Sequence, residues 1–174
     1  MPVLEGWLRA RGHDVSVINA GVSGDTTAGG AARIAWTLAD EPDALIVALG
    51  GNDLLRGLDP ATSRANLAAI LSEADAAGVP VLLAGLPAPG NYGPEFKRDF
   101  EAMYAELAAE WGAIHYPDFL GPIGEKAAAG LSMADLMQDD RIHPNAEGVR
   151  QIVEAIGPVV EELLSRVGSV PPEG

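Results

Sequence analysis

The sequence predicts an α/β fold in which a central parallel sheet is covered by helices. Short apolar, β-branched segments alternate with longer segments whose apolar residues recur at helical spacing, the pattern of strands joined by crossover helices. Gly, Pro, Asn and Asp punctuate the junctions, and 21 Gly and 13 Pro in 174 residues imply many tight connections.

Each element has its own local reason. Leu4, Trp7, Leu8 and Arg11 lie at helical spacing and Gly12 can end that helix in the left-handed conformation, which predicts a helix over about residues 3 to 11. Val15-Ser16-Val17-Ile18-Asn19 is apolar and β-branched and reads as a buried strand ending in the turn Ala20-Gly21-Val22-Ser23-Gly24. Asp25 or Thr26 can cap a helix running to about Leu38. Residues 44 to 49, 79 to 84 and 113 to 116 are the next candidate strands. Between the first two, Asp59 supplies an N-cap with Pro60 at the first helical position, and the helix runs through Leu67, Ile70 and Leu71 to a Gly78 stop. Residues 94 to 111 form a helix with Phe96, Phe100, Met103, Tyr104 and Leu107 as its apolar stripe. Ser132 reads as the cap of a short helical segment, and the last helix runs from about Asn145 to Arg166.

A chain of 174 residues fits one domain, assigned here to residues 1–167, with 168–174 as a frayed tail. Eleven basic against 25 acidic residues give 11 − 25 = −14, which opposes binding to nucleic acid or anionic lipid. Without Cys, disulfides, thiolate metal sites and a Cys nucleophile are excluded. No apolar run approaches the ~20 residues that span a bilayer, and Met1 is not followed by a basic segment and an apolar stretch, so the chain as written reads as cytoplasmic. Nothing in it specifies an oligomeric state.

Ligands of parallel α/β sheets bind beyond the carboxyl ends of the strands, which directs attention to the loops there. Gly21-Val22-Ser23-Gly24-Asp25-Thr26 is either a strand-to-helix turn with an Asp cap or a loop whose backbone N–H groups face an anion. It does not satisfy the dinucleotide fingerprint. Leu49-Gly50-Gly51-Asn52-Asp53 is either an Asn-Asp turn or a source of a side-chain amide donor for an oxyanion. Asp140-Arg141-Ile142-His143 places a carboxylate three residues before an imidazole. That spacing gives either a local cap beside a surface His or an acid–base pair, in which the carboxylate fixes the imidazole tautomer and the imidazole takes a nucleophile's proton. Metal binding is a weaker reading, because His13 and His115 lie in separate segments without clustered carboxylates.

Four separated blocks then define a resemblance. They are Asn19-Ala20-Gly21-Val22-Ser23-Gly24-Asp25-Thr26-Thr27, Leu49-Gly50-Gly51-Asn52-Asp53-Leu54-Leu55-Arg56-Gly57, Leu86-Pro87-Ala88-Pro89-Gly90-Asn91-Tyr92-Gly93 and Gln138-Asp139-Asp140-Arg141-Ile142-His143-Pro144-Asn145. In this order they resemble the SGNH (GDSL-type) hydrolases, in the branch of bacterial arylesterases and thioesterase-lysophospholipases, over residues 4 to about 164. The resemblance implies a three-layer α/β/α sandwich of flavodoxin-like type and hydrolysis of a small-molecule carboxylic ester or thioester without a metal or organic cofactor. It also implies His143 as general base, Asp140 as its orienting carboxylate, and Gly24 N–H and the Asn52 amide as oxyanion donors. Pro87, Asn91 and Tyr92 would belong to a substrate-side loop.

The family's first block, a strand followed by Gly-Asp-Ser-Leu, is not among these 174 residues. Ser23 lies in a segment that fails the G-x-S-x-G pattern because its fifth residue is Asp, Ser16 lies within a candidate strand, and Ser132 reads as a cap, so no Ser is assigned as nucleophile. The expectation is an ester hydrolase lacking its first sheet strand and its Ser, with unpaired strand edges and reduced stability. An inactive ester-binding remnant, or a fragment from a misplaced start codon, is the rival. Members of this family often carry a signal peptide just ahead of that first block, so a periplasmic or secreted location belongs to the same expectation.

Overall fold

The computed structural model describes residues 2 to 168. The tail assigned to 168–174 therefore lies, apart from Gly168, outside the described residues. The chain divides into two compact units, one of Met1–Asn19 with Phe119–Glu161 and the other of Ala20–Asp118 with Glu162–Gly174.

The second unit holds the sheet. Strands β1 (Leu45–Val47), β2 (Val81–Ala84) and β3 (Ile114–Tyr116) are parallel in the order β1-β2-β3, with Leu45 opposite Val81 and Leu82 opposite Ile114. All four residues of β2 are buried, as its Val-Leu-Leu-Ala sequence requires of a middle strand. Helices α2 (Thr27–Leu38), α4 (Pro60–Ala76) and α5 (Pro94–Glu110) pack in succession, α2 on α4 and α4 on α5, with α5 against β2 and β3. Their shared core contains Ile34, Leu67, Ile70, Leu71, Phe100, Met103 and Leu107 beneath Val47, Val81 and Leu83. The caps are those read from the sequence. Thr26 Oγ1 accepts from Gly29 N–H, and Asp59 Oδ1 accepts from Ala61 N–H with Pro60 beginning α4.

The first unit contains α1 (Pro2–Ala10), α6 (Gly121–Ala128), α7 (Met133–Leu136) and the start of α8 (Ala146–Ser165). Leu4, Trp7, Leu8, Ile123, Leu136, Ile152, Val153 and Ile156 are buried. Trp7 lies against Gly157, where a β-carbon would stand 2.5 Å from the indole, and Leu136 backbone closes on Gly148 in the same way. Ser132 caps α7 by accepting from Ala134 N–H.

One predicted strand is corrected. Residues 15 to 19 form no ladder with any described strand, and Ile18 is 62% exposed. A strand exists only by pairing, and this segment's backbone is instead taken by α1 side chains: Val17 N–H donates to Glu5 Oε2 at 2.9 Å, and Arg9 Nε donates to Val15 O at 2.9 Å. Among the described residues the sheet accordingly has three strands where the sequence suggested four, and β1 pairs there with β2 alone. No helix of the described residues is long and apolar enough to cross a membrane.

Candidate active site

Residues 137 to 145 form a tight reversal ahead of α8. Met137 and Pro144 make an isolated antiparallel bridge, Gln138 N–H donates to His143 O at 2.8 Å, and Arg141 N–H donates back to Gln138 O at 2.9 Å. Arg141 takes φ 57°, the left-handed conformation that turns the chain. Asn145 then caps α8, its Oδ1 accepting from Glu147 N–H at 2.9 Å and Gly148 N–H at 3.1 Å.

Asp140 sits at the tip of this reversal. Its Oδ1 accepts from the backbone N–H groups of Ile142 (2.9 Å) and His143 (3.0 Å), while Oδ2 stands 2.7 Å from His143 Nδ1. The hydrogen bond from the His143 ring, followed by those two backbone bonds, lowers the Asp140 carboxyl from its ordinary value to about 2. The ionised carboxylate only accepts, so Nδ1 carries a ring proton and, in the neutral ring, Nε2 is the nitrogen with the free lone pair. The His143 side chain is 62% exposed, which leaves that nitrogen open to solvent.

The second unit carries the other candidates. Gly24, at φ +80°, is exposed, and its N–H meets no acceptor among the described residues. Its carbonyl accepts from Arg56, and the following Asp25 is held by Arg33 Nε at 2.8 Å. Asn52 lies in the short helix α3 (Gly51–Leu55), where the sequence reading had a turn or loop. Its Nδ2 donates to Asp25 O at 2.9 Å, so Asn52 and the Gly24 loop are brought together, and the second amide hydrogen meets no acceptor among the described residues.

The substrate-side loop runs from β2 to α5 and contains a 3-10 turn at Gly90–Tyr92. Pro87, Asn91 and Tyr92 are all exposed. Tyr92 Oη donates to Leu55 O at 3.4 Å and its ring tilts against Phe96 at 4.9 Å, which sets the loop's outer part beside the end of α3. The inner part is gripped from α5: Ala88 N–H donates to Glu101 Oε1 at 2.9 Å, while Lys97 Nζ donates to Ala88 O at 2.7 Å and pairs with Glu101. A cavity of about 330 Å³, lined in part by Val79, Pro80, Gly112 and Ala113, lies at the opposite edge, where the strands begin.

Sequence reasoning assigned no role to Asp53, Thr27, Ser63 or the Lys97–Glu101 pair. Asp53 and Thr27 stand inside quoted blocks, which was a usable signal. Nothing local marks Ser63.

Comparison with known proteins agrees with this architecture. The profile of the GDSL-like Lipase/Acylhydrolase family matches residues 2–151. Esterase TesA of Pseudomonas aeruginosa is 40% identical over 163 residues, covering 93% of this chain and 78% of TesA. An arylesterase of Vibrio mimicus is 32% identical over 175 residues, covering 96% and 82%. Among solved structures, the crystal structure of TesA matches with a TM-score of 0.82 at 39% identity, covering 93% of this chain and 87% of that one. AlinE4, an SGNH-hydrolase family esterase, matches at 0.70 and 42%, covering 97% and 84%. The fold class is thus the three-layer α/β/α type, here with a three-stranded sheet.

Proposed function

The chain belongs to the GDSL-like lipase/acylhydrolase family, and from that premise we propose that it carries the acid–base pair and oxyanion donors of a carboxylic ester hydrolase. The reaction is hydrolysis of aryl or short-to-medium acyl esters, extending to thioesters, through a Ser acyl-enzyme. The observation that carries the reading is the Asp140–His143 geometry, in which one carboxylate oxygen fixes the ring at 2.7 Å and leaves Nε2 as the base.

In the first step His143 Nε2 takes the proton of a Ser hydroxyl as that oxygen attacks the ester carbonyl. The imidazolium so formed is stabilised by Asp140. The carbonyl oxygen becomes an oxyanion, for which Gly24 N–H and the second Asn52 amide hydrogen are the available donors. His143 then protonates the departing alcohol or thiol, and the same base activates water for deacylation. Pro87, Asn91 and Tyr92 form the wall that receives the acyl or aryl group. The Ser belongs to a Gly-Asp-Ser-Leu segment that is not among these 174 residues, and the reading requires one joined to them.

The test is p-nitrophenyl acetate hydrolysis by the 174-residue chain and by the same chain joined to a strand and Gly-Asp-Ser-Leu segment. Activity only in the joined form, lost in its His143→Ala variant, is expected. Equal turnover by both, abolished by His143→Ala, would overturn the requirement for a joined nucleophile segment. A joined form that binds ester but does not turn over would favour the non-catalytic reading.

A further inference from the structure

Three buried polar side chains, Asp53 at 1% exposure and Thr27 and Ser63 at 0%, have no part in the reaction above, and Thr27 and Ser63 both donate to Asp53. We propose that Asp53 is a positioning residue that locks the Asn52 amide and the Gly24 loop into one fixed geometry. The inference deepens the proposed function, and only its catalytic consequence rests on that reading.

Asp53 Oδ2 accepts from Thr27 N–H at 2.9 Å. Its Oδ1 accepts from Thr27 Oγ1 at 2.5 Å and from Ser63 Oγ at 3.0 Å, while Asn66 Nδ2 donates to Thr27 Oγ1 at 3.0 Å. Asn52, the neighbouring residue in α3, donates to Asp25 O at 2.9 Å. Two consecutive side chains of one short helix therefore hold residues 25 and 27, which flank the Thr26 cap of α2. Neither contact can move without the other, because Asn52 and Asp53 share a backbone turn. The turn feeding α3 is pinned separately by Tyr104 Oη, which donates to Leu49 O at 2.9 Å.

The chemistry explains the choice of a carboxyl side chain. Its two oxygens accept from three donors at once, and losing an acceptor strands donors that water cannot reach. An oxyanion hole depends on donors fixed before reaction, since a donor that must reorganise loses its advantage. Asp53 supplies that fixation without facing substrate.

The experiment is amide NMR on the ¹⁵N-labelled 174-residue chain, comparing wild type with Asp53→Asn and Ser63→Ala. With the Leu82 and Leu83 methyl signals retained as evidence of a folded core, Thr27 N–H exchange in Asp53→Asn is expected to rise about ten- to a hundred-fold. The Asn52 side-chain amide pair is expected to shift and lose protection, and Ser63→Ala to move it in the same direction by less. A mere helix cap would alter Thr27 alone. An unmoved Asn52 amide in folded Asp53→Asn overturns the proposal, and if that variant does not fold, an unmoved Asn52 amide in Ser63→Ala does so. In the form joined to a nucleophile segment, Asp53→Asn is expected to lower kcat with KM little changed, whereas an effect on KM alone overturns it. Should that form hydrolyse no ester even as wild type, the proposed function fails while the amide measurements still decide the clamp.

Discussion

Gly50 offers a direct measure of how tightly the turn before Asn52 is built. It takes φ 108° and ψ −17°, and a β-carbon there would stand 2.1 Å from Tyr104 Oη. Placing Ala in such a backbone costs ~1–2 kcal/mol. The clash also forces Tyr104 from its bond to Leu49 O, and a buried polar group left unpaired costs about 1–3 kcal/mol more. Gly50→Ala is thus expected to lose about 3 kcal/mol, or roughly 6–12 °C in Tm for a chain of this length. The clash can be removed by Tyr104→Phe, after which the nearest atoms are the former Tyr104 Cζ at 3.4 Å and Phe100 Cζ at 3.5 Å, ordinary contact distances. On that background Gly50→Ala should cost only the backbone term of ~1–2 kcal/mol. Urea titrations and thermal melts of the four members of this cycle measure both quantities. A cost below about 0.5 kcal/mol, or one equal in both backgrounds, would refute the steric argument.

The Asp140 carboxyl should titrate near pH 2 by ¹³C NMR, and His143→Ala should return it toward its ordinary range, since the ring supplies the largest lowering. Because the folded value is depressed, whatever Asp140 contributes to stability is present above the ordinary carboxylate value and is lost as pH falls through about 2. Leu67→Ala, at a fully buried position between α2, α4 and the sheet, should cost about 2–5 kcal/mol in denaturant unfolding. Glu101→Ala should accelerate exchange of the Ala88 amide and leave Thr27 unchanged, and unchanged exchange at Ala88 would show that the α5 grip does not hold the loop. The edge of β1 that faces away from β2 should promote concentration-dependent association, seen by sedimentation and relieved when a strand is supplied to that edge.

Where the sequence was a good guide, the determining interactions were local. Asp59-Pro60 announced α4 because a cap and its proline are adjacent, and the α5 stripe showed because Phe100, Met103, Tyr104 and Leu107 repeat with the helix. The Asp140–His143 hydrogen bond was legible for the same reason, its partners being three residues apart. Residues 15 to 19 misled because apolar, β-branched composition suits a strand but does not provide the neighbour that makes one. Helix α3 was hidden because five residues opening with Gly show no periodicity, and Asn52-Asp53 looked like any turn. The burial of Asp53 depends on Ser63 and Thr27, which arrive from 10 and 26 residues away.

The closed turn around Asp140 has a kinetic meaning. Its three hydrogen bonds span two or three residues, so the carboxylate and the imidazole meet at a high effective concentration even in a loosened chain. Asn52, by contrast, meets Asp25 across 27 residues and depends on the packed sheet and helices to do so. Under mild denaturation the two contacts should part company: the Asp140–His143 hydrogen bond persists while the Asn52 amide drifts. A graft of residues 137 to 145 into another scaffold would then carry the Asp140–His143 contact intact, whereas a graft of residues 50 to 55 would lose the bond from Asn52 to Asp25.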